Sequence, residues 1–215
     1  MVSPALANLY MNRMLKGFRQ TKRGEQFRAQ IVNYRAKAKA DDFVILSRGK
    51  AKEALEWTRG VLERLELTLN ETKTSVRNAR RERFDFLGYT FGPHFSIALK
   101  RCRTGREYIG NSPSKKSVAR IKEKVGDLLV PSNGAPWKEV CERLNWKLRG
   151  WRGYFGSGTT AKAYQAVDEY VYDRVRQFLR RRHKVSSQGT RQFPPERVYG
   201  SLGVIRLQGP LGVRL

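Results

Sequence analysis

Two adjacent carboxylates, Asp41 and Asp42, stand directly before a run of β-formers, Phe43, Val44, Ile45 and Leu46. Paired acids at the mouth of a strand are half of what a catalytic divalent cation needs, because hard cations take oxygen ligands and two-metal sites draw them from more than one strand. Without context, neighbouring Asp residues are ordinary solvated turn formers. Other metal chemistry finds no support. Cys102 and Cys141 lack CxxC spacing, and His94 and His183 have no ligand-spaced neighbours, so neither a zinc site nor a disulfide framework is indicated.

The second chemical feature is charge. Lys and Arg number 44 against 19 Asp and Glu, a net +25 over 215 residues, which repels itself in isolation and suits a polyanionic partner. Residues 101–215 alone carry 24 basic and 9 acidic groups. The cations come in runs: Lys115, Lys116, Arg120, Lys122 and Lys124; then Arg143, Lys147, Arg149 and Arg152; then Arg174, Arg176, Arg180, Arg181, Arg182 and Lys184. A solvated basic face is the plain reading, yet such density on a small helical segment favours phosphate contact. No apolar run approaches the roughly 20 residues of a membrane span, and MVSPALANLY lacks the regions of a signal peptide. A cytoplasmic protein with no membrane partner is expected.

The elements that must position these groups follow from periodicity. SPALANLYMNRMLKGF predicts a helix, with Ser3 as N-cap and Pro4 at its first position. RGEQFRAQIVNY predicts a strand entering a hairpin whose return strand is FVILS, with the acidic pair at or near the turn. Small or apolar residues at 51, 54, 55, 58, 61, 62 and 65 predict an amphipathic helix. LTLNETKTSV and FDFLGYTFG read as short strands with a turn between. From about residue 112 only helical stripes remain. Ser112 and Pro113 would open the first, PSNGAP would separate it from the second (Trp137, Val140, Cys141, Leu144, Leu148, Trp151), and the third (Tyr164, Val167, Val171, Val175, Phe178, Leu179) would end in RRRHK. The fold class is therefore α+β, with an α+β segment over 1–110, an all-α helical bundle over 113–185, and a tail over 186–215 that can dock but forms no domain.

In this order and at these spacings, SPALANLYMN, ADDFVILSRG, LTLNETKT, FDFLGYTF, PSKKSVARIK and LNWKLRGWRGYF resemble the later part of a bacterial group II intron-encoded reverse transcriptase and maturase. The last block is similar to the maturase-specific thumb, domain X, and distinguishes this family from retron enzymes. The resemblance implies a partial reverse-transcriptase palm followed by a thumb, and intron RNA as partner. It implies a role for Asp41 and Asp42 as catalytic Mg²⁺ ligands. It makes Lys73 a possible phosphate neighbour and puts Gly88 and Tyr89 in a segment that grips a primer on an RNA/DNA template. Charge density singles out Lys115, Lys116, Arg120, Arg149, Arg152, Arg180, Arg181 and Arg182 for phosphate contact, and the resemblance implies structured intron RNA as their target. On residue type alone, FLGY is an ordinary strand with a close-packing Gly88, Lys73 is a solvated lysine, and Trp137, Trp151, Tyr164 and Phe178 are core.

Two departures from the family stand out. Removing Arg35 to Lys39 would leave IVNYADDFVILSRG, a close match, so the basic repeat reads as a five-residue insertion; on the alternative parse Lys39 replaces the aromatic that precedes Ala-Asp-Asp. An odd insertion inside a hairpin must slip, bulge or loop out, because side chains alternate with period two. The second departure is that only two residues precede Ser3, where the family has fingers and the palm strand bearing the other metal-binding aspartate. A completing N-terminal polypeptide is one way to restore it.

Two functions are thus expected as alternatives: part of an RNA-directed DNA polymerase with maturase activity, or a non-catalytic RNA-binding module derived from one. The tail has no His/Asn cluster or Cys pairs of the kind used by the family's homing endonuclease domains, so no DNA cleavage is expected. Because both metals are needed for in-line displacement, primer extension by this chain alone with Mg²⁺ is expected at background, unchanged by Asp41→Asn and Asp42→Asn together. Extension that disappears in the double variant would overturn this.

Overall fold

The computed structural model describes residues 12–18, 20, 23–26, 29–32, 43–94 and 108–208. Their contacts divide the chain into two units, Met1–Val76 and Arg77–Leu215. In the first, residues 12–18 are helical, and the helical turn α1 (Arg23–Gln26), strands β1 (Ala29–Val32) and β2 (Val44–Ser47) and helix α2 (Ala51–Arg64) follow. Ser3 and most of the first expected helix lie outside the described residues. RGEQ is a helical turn and not the start of a strand; Glu25 sits where the positive end of a helix favours an acid.

The hairpin expected between IVNY and FVILS forms, with Val32 opposite Val44 and Ala29 opposite Ser47. On α2 the buried residues are Ala54, Thr58 and Leu62, one side of the helix. Thr58 is tolerated there because its hydroxyl donates to the Ala54 carbonyl at 2.7 Å. Phe18 meets Trp57 edge-on at 5.3 Å, and Ile45 packs against the same small core.

LTLNETKTSV forms no strand. Asn70 takes over the backbone bonding that a ladder would need: its carbonyl accepts from the Lys73 and Thr74 N–H groups at 3.1 and 3.0 Å, and its side-chain oxygen accepts from the Thr72 hydroxyl at 2.7 Å. Local bonding of this kind competes directly with sheet formation.

The second unit begins with a three-stranded antiparallel sheet, β3 (Phe84–Phe86), β4 (Tyr89–His94) and β5 (Tyr108–Pro113), in sequence order. FDFLGYTFG is thus a tight hairpin and not a single strand. Leu87 and Gly88 form its turn with φ of 48° and 81°, the pair of positive values that matches strand twist. A leucine in that region costs about 1–3 kcal/mol, so its surroundings must hold it. They do. The Leu87 carbonyl accepts from the Tyr154 hydroxyl at 3.1 Å, and the Gly88 carbonyl accepts from the Ser117 hydroxyl and the Ser114 N–H, both at 2.8 Å.

Helices α3 (Lys115–Leu128), α4 (Trp137–Tyr154) and α5 (Ala161–Arg182) form the bundle, and a short α6 (Pro195–Tyr199) lies in the tail. The cap of α3 is Ser114, whose hydroxyl accepts from the Ser117 N–H at 3.2 Å; Ser112 and Pro113, expected to open that helix, instead end β5 opposite Thr90 and Tyr89. The β3–β5 sheet falls in the same contact unit as the helices because it is bonded to the start of α3.

Val125, Val140, Leu144, Leu148, Val167, Val171 and Val175 are fully buried, and from the tail so are Val198 and Leu207. The tail docks on polar side chains of the bundle. Asn145 donates to the Gly203 carbonyl at 2.7 Å and accepts from the Ile205 N–H at 2.9 Å, while the Asp168 carboxylate accepts from the Leu207 and Gln208 N–H groups at 2.8 and 3.1 Å. At the hairpin, a Cβ on Gly88 would lie 2.8 Å from the Ser117 hydroxyl and 3.0 Å from the Phe155 ring. Gly88→Ala, strained in both backbone and packing, is expected to destabilise the second unit by about 2 kcal/mol or more, read from its thermal unfolding.

Candidate nucleic-acid interface

The cations of the second unit singled out from the sequence occupy three places, each set by a helix. Lys115 and Lys116 form the first turn of α3, which contains no acidic residue, and Arg120 and Lys124 follow at one-turn intervals beyond Lys116, all four exposed. Basic side chains at the positive end of a helix oppose its dipole; the same end favours an incoming anion.

At the exit of α4, Arg149 and Arg152 border an open cleft of about 450 Å³ together with Gly153, Gly156, Thr160 and Tyr164. The Arg152 guanidinium lies 6.0 Å from the centre of the Tyr164 ring. Tyr164 is a fixed wall: its hydroxyl donates to the Phe155 carbonyl at 3.1 Å, and burial pushes the phenol above its ordinary pKa. Neither arginine takes part in an ion pair among the described residues.

The third place is the end of α5, where Arg180, Arg181 and Arg182 also face the negative end of the helix dipole. They are not equivalent. Arg182 donates to the Ala135 and Gly134 carbonyls at 2.7 and 3.3 Å and lies over Phe178, so it clamps the PSNGAP loop. Arg180 is half-buried, with its stem about 3.4 Å from where a Cβ on Gly189 would stand. Arg181 is exposed. Two further arginines of the same run are structural: Arg174 reaches the Gly126 carbonyl at 3.4 Å, and Arg176 pairs with Asp173 at 3.0 Å.

Asp41 and Asp42 lie outside the described residues, as do Arg35 to Lys39. The flanking strands pair with Val32 opposite Val44. Among the described residues no group of three or more His, Cys, Asp and Glu side chains is placed to hold a metal. Asp85 accepts from the Thr90 hydroxyl at 2.6 Å.

Lys73 is exposed in the Asn70 turn, which Arg59 pins to α2 through a two-pronged bond to Glu71 at 2.8 and 3.1 Å. That pairing holds the Glu71 carboxyl below its usual range. Gly88 and Tyr89 are joint residues in this structure: Gly88 packs on Ser117 and Phe155, and the Tyr89 hydroxyl donates to the Tyr154 carbonyl at 2.6 Å while its ring lies 5.0 Å from Phe155.

Three residues of consequence gave little sign in the sequence. Asn145 and Asp168 are buried lock residues, signalled only by polar types inside apolar stripes. Burial pushes the Asp168 carboxyl above its ordinary range against the pull of two N–H donors and Arg206. Trp146 is the third, 77% exposed on α4; its position just off the buried stripe was the available signal. Cys141 is buried and its thiol is pushed up by burial, in keeping with a structural role.

Residues 1–91 match the family described as reverse transcriptase (RNA-dependent DNA polymerase), and residues 118–193 match the group II intron, maturase-specific domain. No curated protein matches the chain. No helix among the described residues is long and apolar enough to cross a membrane.

The unequal arginines of α5 give a separable outcome. Arg182→Ala removes two bonds to loop carbonyls and is expected to cost about 1 kcal/mol in thermal unfolding. Arg181→Ala should leave stability within about 0.5 kcal/mol while weakening binding to duplex RNA in a filter assay.

Proposed function

Because the chain belongs to the group II intron reverse transcriptase/maturase family, we propose that it acts first as an RNA-docking protein, its helical unit gripping the phosphate backbone of structured intron RNA in support of splicing. The observation that carries this reading is the set of exposed cations, Lys115, Lys116, Arg120, Lys124, Arg149 and Arg181, that enter no ion pair among the described residues. Placing Lys115 and Lys116 at the positive end of α3 is unfavourable in the free protein and favourable once a polyanion is bound. Cations of this kind read backbone and shape, the features by which folded RNA is recognised.

The first unit, on this reading, is the end of a polymerase palm. Asp41 and Asp42 are the residues that would hold Mg²⁺, which supplies charge stabilisation at the attacking and leaving oxygens of nucleotidyl transfer. Action on a primer-template would need a further carboxylate from elsewhere in the palm, on this chain or on a completing polypeptide. The proposal therefore rests on binding.

Neutralising several phosphates releases condensed counterions. Binding of the full chain to a folded intron RNA should fall with salt on a log–log slope of roughly −4 or steeper. Filter binding from low to moderate salt measures it, and a flat response would overturn the proposal.

A further inference from the structure

Among the described residues Trp146 is the most exposed of the large apolar side chains, at 77%, on a helix whose Val140, Cys141, Leu144 and Leu148 are buried. Gly150 and Gly153 follow it at one and two turns, on the same side of α4. A Cβ built on either glycine would meet nothing within 4 Å. The indole thus stands beside bare helix backbone, with room for a flat partner to lie against both.

Charge is divided along this side of α4. Glu139 and Glu142 precede Trp146, and Glu139 neutralises Arg143 at 2.8 Å. Arg149 and Arg152 follow it and open into the cleft with Gly153, Gly156, Thr160 and Tyr164. Before the indole the charges cancel, Lys138 and Arg143 against Glu139 and Glu142, whereas after it they are all basic, so an anion is attracted to its C-terminal side. Trp146 and Gly153 are about 10 Å apart along the axis, a distance that a base and a neighbouring phosphate of one strand can bridge.

We propose that this face of α4 binds an unpaired nucleotide of RNA, its base stacked on Trp146 and a neighbouring phosphate held in the cleft by Arg149 and Arg152. A duplex cannot use the indole in this way, because its bases are already stacked on each other; single-stranded loops and bulges offer theirs to aromatic side chains. The inference rests on the RNA-docking reading above and adds selectivity for unpaired residues to it. A protein partner on Trp146 is the competing occupant, and the basic cleft at its C-terminal side disfavours it for any partner but an acidic one.

The test uses the full chain and three RNAs of equal length: a hairpin with an unpaired loop, the same hairpin with abasic loop residues, and a continuous duplex. Trp146→Ala should weaken binding to the loop about tenfold or more, leave the duplex within about twofold, and add nothing to the loss caused by the abasic loop. Trp146→Phe should recover part of the affinity. Arg149→Ala with Arg152→Ala should weaken all three RNAs and reduce the salt slope by about 2. Trp146 is exposed, so unchanged thermal unfolding checks that the variant is folded. An equal loss on loop and duplex, or no loss on either, overturns the inference; so does a change in sedimentation on Trp146→Ala with RNA binding intact, which assigns the indole to a protein contact. If the wild-type chain binds none of the RNAs in a salt-dependent way, the RNA-docking reading itself has failed, an outcome distinct from an insensitive Trp146.

Discussion

Two buried polar side chains must find partners, and the helical unit is organised around that requirement. Asn145 and Asp168 sit 8% and 5% exposed within apolar stripes, where an unbonded amide or carboxylate would cost several kcal/mol. Both are satisfied by the backbone of residues 203–208. Once that segment is in place, Val204 and Leu207 enter the core beside Phe193 and Val198, each worth about 1.5–3 kcal/mol of apolar burial. The Tyr199 hydroxyl extends the lock by donating to the Asp168 carbonyl at 2.6 Å, and Trp137 and Cys141 both donate to the Leu202 carbonyl. The tail is thus part of the bundle's interior.

The same economy of backbone bonding explains the joint between sheet and helices. A hairpin turn with leucine at positive φ is unfavourable in isolation, and the carbonyls of Leu87 and Gly88 are held by side chains from α3 and α4. Gly88 has space for no side chain because Ser117 and Phe155 approach it. Ser114 ends the sheet connection and caps α3 at once, so the cations of that helix, Lys115 and Lys116, are aimed by the hairpin. Gly88 and Tyr89 therefore have a packing duty, which any substitution at either position must respect.

Charge is distributed with comparable specificity. Arg174, Arg176, Arg182 and Arg197 bond to carbonyls or acids of their own chain and lie against loops or rings. Those bonds remove them from the pool available to an external anion. Lys115, Lys116, Arg120, Arg149 and Arg181 remain in that pool, and they are separated along three helices instead of crowded at one point. A polyanion with phosphates spaced along a path fits such a distribution better than a compact anionic ligand does.

Much of this was legible in the sequence because it depends on periodicity, order and composition. The stripes of α2, α4 and α5, the β1–β2 hairpin, the excess of positive charge and the ordered blocks that mark the family all follow from residues close in the chain. Tertiary structure decided what distant neighbours decide. Helical spacing places Asn145 and Trp146 one residue apart near the edge of a stripe, but only the tail arriving from residues 203–205 buries the first, and only the absence of any covering element within the described residues exposes the second. Asn70 turned a strand-like segment into a bonded turn, a competition between local and ladder hydrogen bonds that composition does not resolve. Arg181 and Arg182 are chemically identical neighbours; the Ala135 carbonyl, 47 positions away, makes one of them a clamp. Propensity and pattern act over a few residues, whereas the satisfaction of a buried polar group or a guanidinium depends on which carbonyl the fold brings to it.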